Sequence, residues 1–204
     1  MHAVVAEPSL EVSSRLSIHV RGATGRGPTT LAAFDDALMA VGVANYNLLR
    51  LSSVIPSGSS VIAGLPPGVR DRNDVPKRQR PSGVVDLRSG QSRPQSRAEW
   101  GWRLYAVWAF EGAALLGQEA WAGIAWAQDP DDGRGLFVEH EGGSEAQVRQ
   151  ELEASLSSIC RARGLEHLEQ HHVIVGARCE SEPVAALVIA PFYSEPWPAA
   201  PGSG

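Results

Sequence analysis

The chain has 204 residues, 43% of them hydrophobic and 20% charged. That is enough apolar sequence for one good-sized core and too little charge for a disordered protein. No apolar run approaches the roughly 18 residues of a membrane span, and Met1 to Val12 lacks the basic start and long apolar stretch of a secretory signal. The two cysteines, Cys160 and Cys179, form neither a disulfide scaffold nor a zinc pattern, so a reduced, cytoplasmic protein is expected.

Residues 1–14 read as an N-terminal extension. Arg15 to Val20 then alternates as a short strand, with Leu16, Ile18 and Val20 on one face. The glycine-rich stretch from Arg21 to Thr30 matches neither phosphate-loop spacing and carries no lysine, so a plain turn is expected. Thr29 or Thr30 can cap the helix that follows, in which Leu31, Phe34, Leu38 and Val41 recur at helical spacing before Gly42 stops it. Asp36 is a solvated residue of this helix. Asp35 borders the apolar stripe between Leu31 and Leu38 and, from the helix alone, reads as a boundary carboxylate facing water. The run from Asn45 to Pro56 reads as a strand that meets two adjacent serines and ends at a residue that cannot continue a ladder. If the strand persists, Ser52 and Ser53 point to opposite sides.

Val61 to Leu65 is a further short apolar piece. From Pro66 to Glu99 the sequence turns to Pro, Gly, Ser, Arg and Gln, with eight basic residues against four acids. It contains no aromatic residue to stack on bases, so a solvated linker is expected rather than a nucleic-acid partner. Strands resume at Trp102–Phe110, Glu119–Gln128 and Leu136–His140, with turn signals at Asp129–Gly133 and Glu141–Gly143. Ser144 with Gln147 opens a second helix carrying Val148, Leu152, Leu156 and Ile159 on one face, ended by Gly164. His172–Gly176 and Val184–Ala190 read as the last strands, and 191–204 as a flexible tail. Two amphipathic helices amid half-buried strands, without regular β-α alternation, predict an α+β fold of antiparallel sheet. His140, His171 and His172 lie near several glutamates, but their spacing is irregular and no metal site is expected.

The segment Asn45-Tyr46-Asn47-Leu48-Leu49-Arg50-Leu51-Ser52-Ser53-Val54-Ile55-Pro56 resembles the self-cleavage segment of the pyruvoyl-dependent arginine decarboxylases. Ala33 to Leu38 with Gly42 is similar to that family's helix before the cleavage strand. Gly135 to Gly142 is similar to its strand bearing the catalytic glutamate, and the helix ending at Arg163-Gly164 also fits. The resemblance runs from about Leu16 to Ala190, apart from the 66–99 region. It implies a single domain over 15–190, folded as an αββα sandwich of antiparallel sheets flanked by helices. It also implies a homotrimer, or a dimer of trimers, with active sites between subunits.

It further implies a covalent cofactor made by the chain itself. The Ser53 hydroxyl attacks the carbonyl of Ser52, the chain breaks there, and Ser53 becomes a pyruvoyl group. Its carbonyl forms an imine with an α-amino acid, most simply L-arginine giving agmatine and carbon dioxide. Attack builds an oxyanion, which needs a fixed donor. Asn47 matches the family's asparagine for that purpose, whereas Asn45 suits a turn. Glu139 matches the family's proton donor, a role that partial burial among Leu136, Phe137 and Val138 would favour. Glu141, on the same face nearer the turn, is its rival. Asp35 matches the carboxylate that meets the substrate guanidinium, with Leu31 and Leu38 lining the aliphatic part of the pocket.

Overall fold

A computed structural model describes residues 16–64, 84–86, 91–93 and 99–198. In chain order the elements are β1 (Ser17–Arg26), α1 (Thr30–Val41), β2 (Asn47–Arg50), β3 (Val54–Ile55), β4 (Ser60–Ala63), β5 (Val84–Asp86), β6 (Gln91–Arg93), β7 (Arg103–Ala113), β8 (Glu119–Gln128), β9 (Gly135–Gly142), α2 (Glu145–Ala162), β10 (Gln170–Arg178) and β11 (Val184–Glu195). The first sheet has the order β2-β7-β11-β1-β4 and the second β10-β8-β9-β3. The expected N-terminal extension and most of the 66–99 linker lie outside the described residues. Within the linker, β5 and β6 pair as a small antiparallel hairpin, a regular element that its composition did not suggest.

The two sheets pack face to face and each carries one helix on its outer side, giving layers in the order α, β, β, α. Side-chain alternation on the strands builds this directly. Along β11, Val184, Ala186, Val188 and Ala190 face the second sheet, while Ala185, Leu187 and Ile189 face α1. Both faces being covered, that strand is apolar throughout. Along β9, Phe137 enters the core between the sheets, and Leu136 and Val138 turn to α2. The α2 stripe is Val148, Leu152, Leu156 and Cys160, with Ile159 at its margin. Among the described residues no helix is long and apolar enough to cross a membrane.

Four features depart from expectation. The first sheet is mixed rather than antiparallel, because β2 runs parallel to β7 and β1 parallel to β4. These edge strands arrive by crossovers instead of tight hairpins, and a crossover permits parallel pairing. Second, the glycine-rich stretch expected as a turn continues β1, and its residues pair with β11 from Arg21↔Ile189 to Arg26↔Val184. Its glycines admit the helix: a Cβ at Gly25 would lie 2.1 Å from the Ala33 carbonyl oxygen.

Third, that close approach shifts the buried face of α1 to Ala33, Ala37 and Val41, with Phe34 and Leu38 flanking it. Leu31 falls outside this face and is 75% exposed. Thr29 is the N-cap, its Oγ1 accepting from Ala32 N at 3.1 Å, and Gly42 ends the helix with φ 79°. Fourth, β11 carries on to Glu195 across an irregularity between Pro191 and Tyr193, so the segment 191–204 begins in strand and not as tail.

Beneath α1 the core contains two basic side chains. Arg21 is 1% exposed and donates one guanidinium N–H to the Val41 carbonyl at 3.0 Å, capping the helix C-terminus. Its Nε and Nη2 find no partner among the described residues, nor does Nδ1 of the buried His19.

Candidate active site

The two serines stand where the chain changes sheets. The last bond to the first sheet is Leu51 N–H to the Ala106 carbonyl at 3.0 Å. The next is to the second sheet, from Phe137 N–H to the Ser53 carbonyl at 2.8 Å. The expected single strand therefore breaks into β2, on the edge of one sheet, and β3, on the edge of the other. Such an abrupt change needs an unusual backbone, and Ser53 supplies it with φ 64°. It is the one non-glycine residue with a left-handed backbone among the described residues. For an L-residue that conformation costs about 1–2 kcal/mol. Ser52 is exposed and Ser53 half-buried. After the crossing, Val54 pairs with Leu136, and Ile55 anchors the segment in the core between the sheets.

β9 brings the acid. Glu139 lies two residues beyond Phe137 on the same face and opposite Ile124 of β8. The Ser53 hydroxyl donates to its carboxylate, with Oγ 2.9 Å from Oε2 and 3.0 Å from Oε1. Residues 86 apart in sequence thus meet at the crossing. Glu141 is exposed and two residues further along the strand. Of the two rival carboxylates, Glu139 is the one that touches Ser53.

The other expected site residues sit apart. Asn47 donates its side-chain N–H to the Gly101 carbonyl at 2.6 Å, an oxygen that also accepts from Trp197 Nε1. Its amide helps hold the turn before β7. Asp35 and Leu31 lie on the exposed outer face of α1, while Leu38 packs partly against the core beneath it. Within one chain the fold does not place these α1 residues on the Ser53–Glu139 pair. The three histidines take separate partners. His140 Nε2 meets Ser155 Oγ at 2.8 Å, His171 lies tilted beside Trp126, and His172 meets Arg149.

Two neighbours were not singled out from the sequence. Arg50, at the end of β2, lays its guanidinium over Trp108, 4.4 Å from the ring centre, and donates to the Trp108 carbonyl. This fixes a positive charge two residues before Ser52. The Phe137 N–H fixes the Ser53 carbonyl, as described above. A lone arginine in a strand and a backbone donor leave no readable signal in sequence.

Ser53 thus combines a strained backbone, a hydroxyl already bonded to a carboxylate, and a carbonyl held by a fixed donor. The Glu139 carboxylate can accept the proton of the Ser53 hydroxyl, the arrangement of a nucleophile beside its base. The model of the pyruvoyl-dependent arginine decarboxylase family matches residues 17–67, a segment that contains Asp35, Asn47, Ser52 and Ser53 but not Glu139.

Among individual relatives, the pyruvoyl-dependent arginine decarboxylase of Halobacterium salinarum is 48% identical over 44 residues, covering 22% of this chain and 28% of the relative. That of Thermococcus kodakarensis is 53% identical over 38 residues, 19% of this chain and 24% of the relative. That of Methanothermobacter thermautotrophicus is 32% identical over 47 residues, 23% and 31% respectively. The matched segment therefore spans less than a third of each of these relatives' length. Among solved structures, a pyruvoyl-dependent histidine decarboxylase aligns over 54% of this chain and 61% of its own, with TM-score 0.32 and 17% identity.

Proposed function

We propose that the chain is a self-cleaving, pyruvoyl-dependent amino-acid decarboxylase, with L-arginine as its substrate. The observation that carries this reading is the hydrogen bond from the left-handed Ser53 to Glu139. As Ser53 Oγ attacks the carbonyl carbon of Ser52, its proton passes to Glu139, the C–N bond breaks, and an ester forms. Glu139 then returns a proton to the freed amine. Glu139, again a carboxylate, then takes the Cα proton of residue 53, which expels the Ser52 carboxylate and cuts the chain. Water then releases ammonia and leaves a carbonyl at position 53.

The residues present suit such a group, since Ser53 is half-exposed on a sheet edge and its carbonyl is pinned by Phe137 N–H. Once formed, a pyruvoyl group supplies a carbonyl that condenses with an α-amino acid and withdraws electrons as carbon dioxide leaves. Phe137 N–H holds the adjoining amide carbonyl in one orientation. Glu139, already beside the side chain of residue 53, is placed to deliver a proton to the substrate carbon. Asp35 and Leu31 share an exposed face of α1, and in a homotrimer that face of one subunit would meet the Ser53 edge of the next. There a carboxylate can pair with a guanidinium in a planar, two-pronged contact.

Intact mass under denaturing conditions tests the reading. Wild-type chain is expected as two pieces divided between Ser52 and Ser53, and Ser53→Ala as a single full-length species. An uncleaved wild type with no decarboxylation of basic, acidic or aromatic amino acids would leave a non-catalytic scaffold. Carbon dioxide release from an amino acid other than arginine would reassign the substrate while keeping the chemistry.

A further inference from the structure

At the edges opposite the Ser53 crossing, β4 borders the first sheet and β10 the second. Between them lies a cavity of about 790 Å³ that none of Ser53, Glu139, Asn47 or Asp35 lines. Its inner end is Trp126, 4% exposed, whose ring lies 5.6 Å from that of His171. One wall is β4, from which Ile62 presents an apolar side chain 44% exposed. The wall is rigid. The Gln128 side chain accepts from Val61 N–H and donates to the Ser59 and Gly133 carbonyls, locking β4 to the β8–β9 hairpin.

Asp129 and Asp131 come from the hairpin and Glu169 from the turn before β10, beside His167 and His171, and among the described residues no lysine or arginine lines the cavity. The Asp129 carboxyl is held below the usual range by backbone N–H groups of Asp131 and Asp132 and by Arg134 and His167 nearby. Arg134 is engaged by Asp129 and Asp132. Asp131 and Glu169 form no ion pair among the described residues. A half-open cleft with an exposed aliphatic wall, the exposed His171 ring and carboxylates without ion pairs among the described residues suits an amphipathic cation. A charged head is attracted to the Asp131 and Glu169 carboxylates, and an alkyl stem covers Ile62.

We infer that this cavity is a binding site for a small alkylguanidinium or alkylamine cation, separate from the Ser53 site. Binding there requires neither chain cleavage nor decarboxylation. The test is titration of the purified protein, with all of its chain present, with agmatine as probe, read by calorimetry and by the side-chain NMR resonances of Trp126 and His171. Saturable binding that shifts both resonances is expected, with butylurea, a neutral analogue that lacks both of agmatine's charged groups, not bound. Asp131→Asn combined with Glu169→Gln should weaken binding at least about tenfold, equivalent to 1.4 kcal/mol. Asp35→Asn should leave the Trp126 and His171 shifts intact. Three results would each overturn the assignment. These are unshifted resonances at ~10 mM probe, equal affinity for butylurea, and binding that disappears with Asp35→Asn while surviving the Asp131/Glu169 double change.

Discussion

Replacing Ser53 by alanine and by glycine separates its two properties, the hydroxyl and the left-handed backbone. Both substitutions remove the nucleophile, so both chains should remain whole. They differ in what they ask of the backbone at φ 64°. Alanine keeps the β-carbon and with it a steric cost of about 1–2 kcal/mol. Glycine removes that cost but adds about 0.5–1 kcal/mol of unfolded-state entropy. The glycine variant should therefore be the more stable by about 1 kcal/mol, which for a chain of this size is about 2–4 °C in Tm. Both variants lose the bond to Glu139 equally, so that contribution cancels in the comparison. The assay is thermal unfolding of the two uncleaved proteins side by side, with intact mass confirming that neither has been cut. An alanine variant that melts at or above the glycine variant would show that position 53 is not left-handed in the uncut protein. Backbone strain would then have no part in cleavage.

Glu139→Gln keeps a hydrogen-bond acceptor for Ser53 but removes the base, so chain cleavage followed on denaturing gels should slow by about 10²-fold or more; a wild-type rate would take Glu139 out of the cleavage step. Arg21, pushed down to about 10 from 12.5 by burial, implies a cost of about 3 kcal/mol for keeping its charge inside. Allowing about 1 kcal/mol for the lost bond to Val41, Arg21→Met should raise stability by about 2 kcal/mol in denaturant titrations, and a clear loss would mean that the charge is compensated. The buried His19 is held below its ordinary value of 6.5, first by burial and then by Arg21. The unfolded chain therefore takes up a proton that the folded chain resists, so this residue's contribution is intact above pH 6.5 and lost as pH falls below it. His19→Asn should flatten the decline of stability over that acid range, measured by denaturation at several pH values.

Periodicity carried much of the architecture. Both helices, their caps at Thr29 and Ser144, and the long strands β7, β8 and β11 follow from apolar spacing and turn residues. What escaped was set by contacts between distant segments. The glycines of β1 look like a turn because their purpose, room for α1, lies in another element. Leu31 fits a helical stripe, yet it is exposed because alanines were needed where the helix meets those glycines. The division of Asn45–Pro56 between two sheets depends on a serine in a conformation that serine seldom adopts. Spacing alone could not join Ser53 to Glu139; that pairing followed from resemblance, and the fold supplies the contact. For Asn47 the sequence suggests a donor, and the fold gives that donor a different oxygen at Gly101.

β1 does not sit at the margin of its sheet. It lies between β11 and β4, and β2 is hydrogen-bonded to β7. A cut between Ser52 and Ser53 would therefore leave the N-terminal piece woven into the body of the other by an interior strand, an outer helix and an edge strand. Before the cut, folding is a unimolecular event in which one chain closes its own loops. Afterwards the same native contacts must be found by two separate molecules, so recovery from denaturation becomes a second-order process that depends on concentration. Persistence of the cleaved protein would then rest on how slowly its fragments part, which makes its endurance a matter of kinetics.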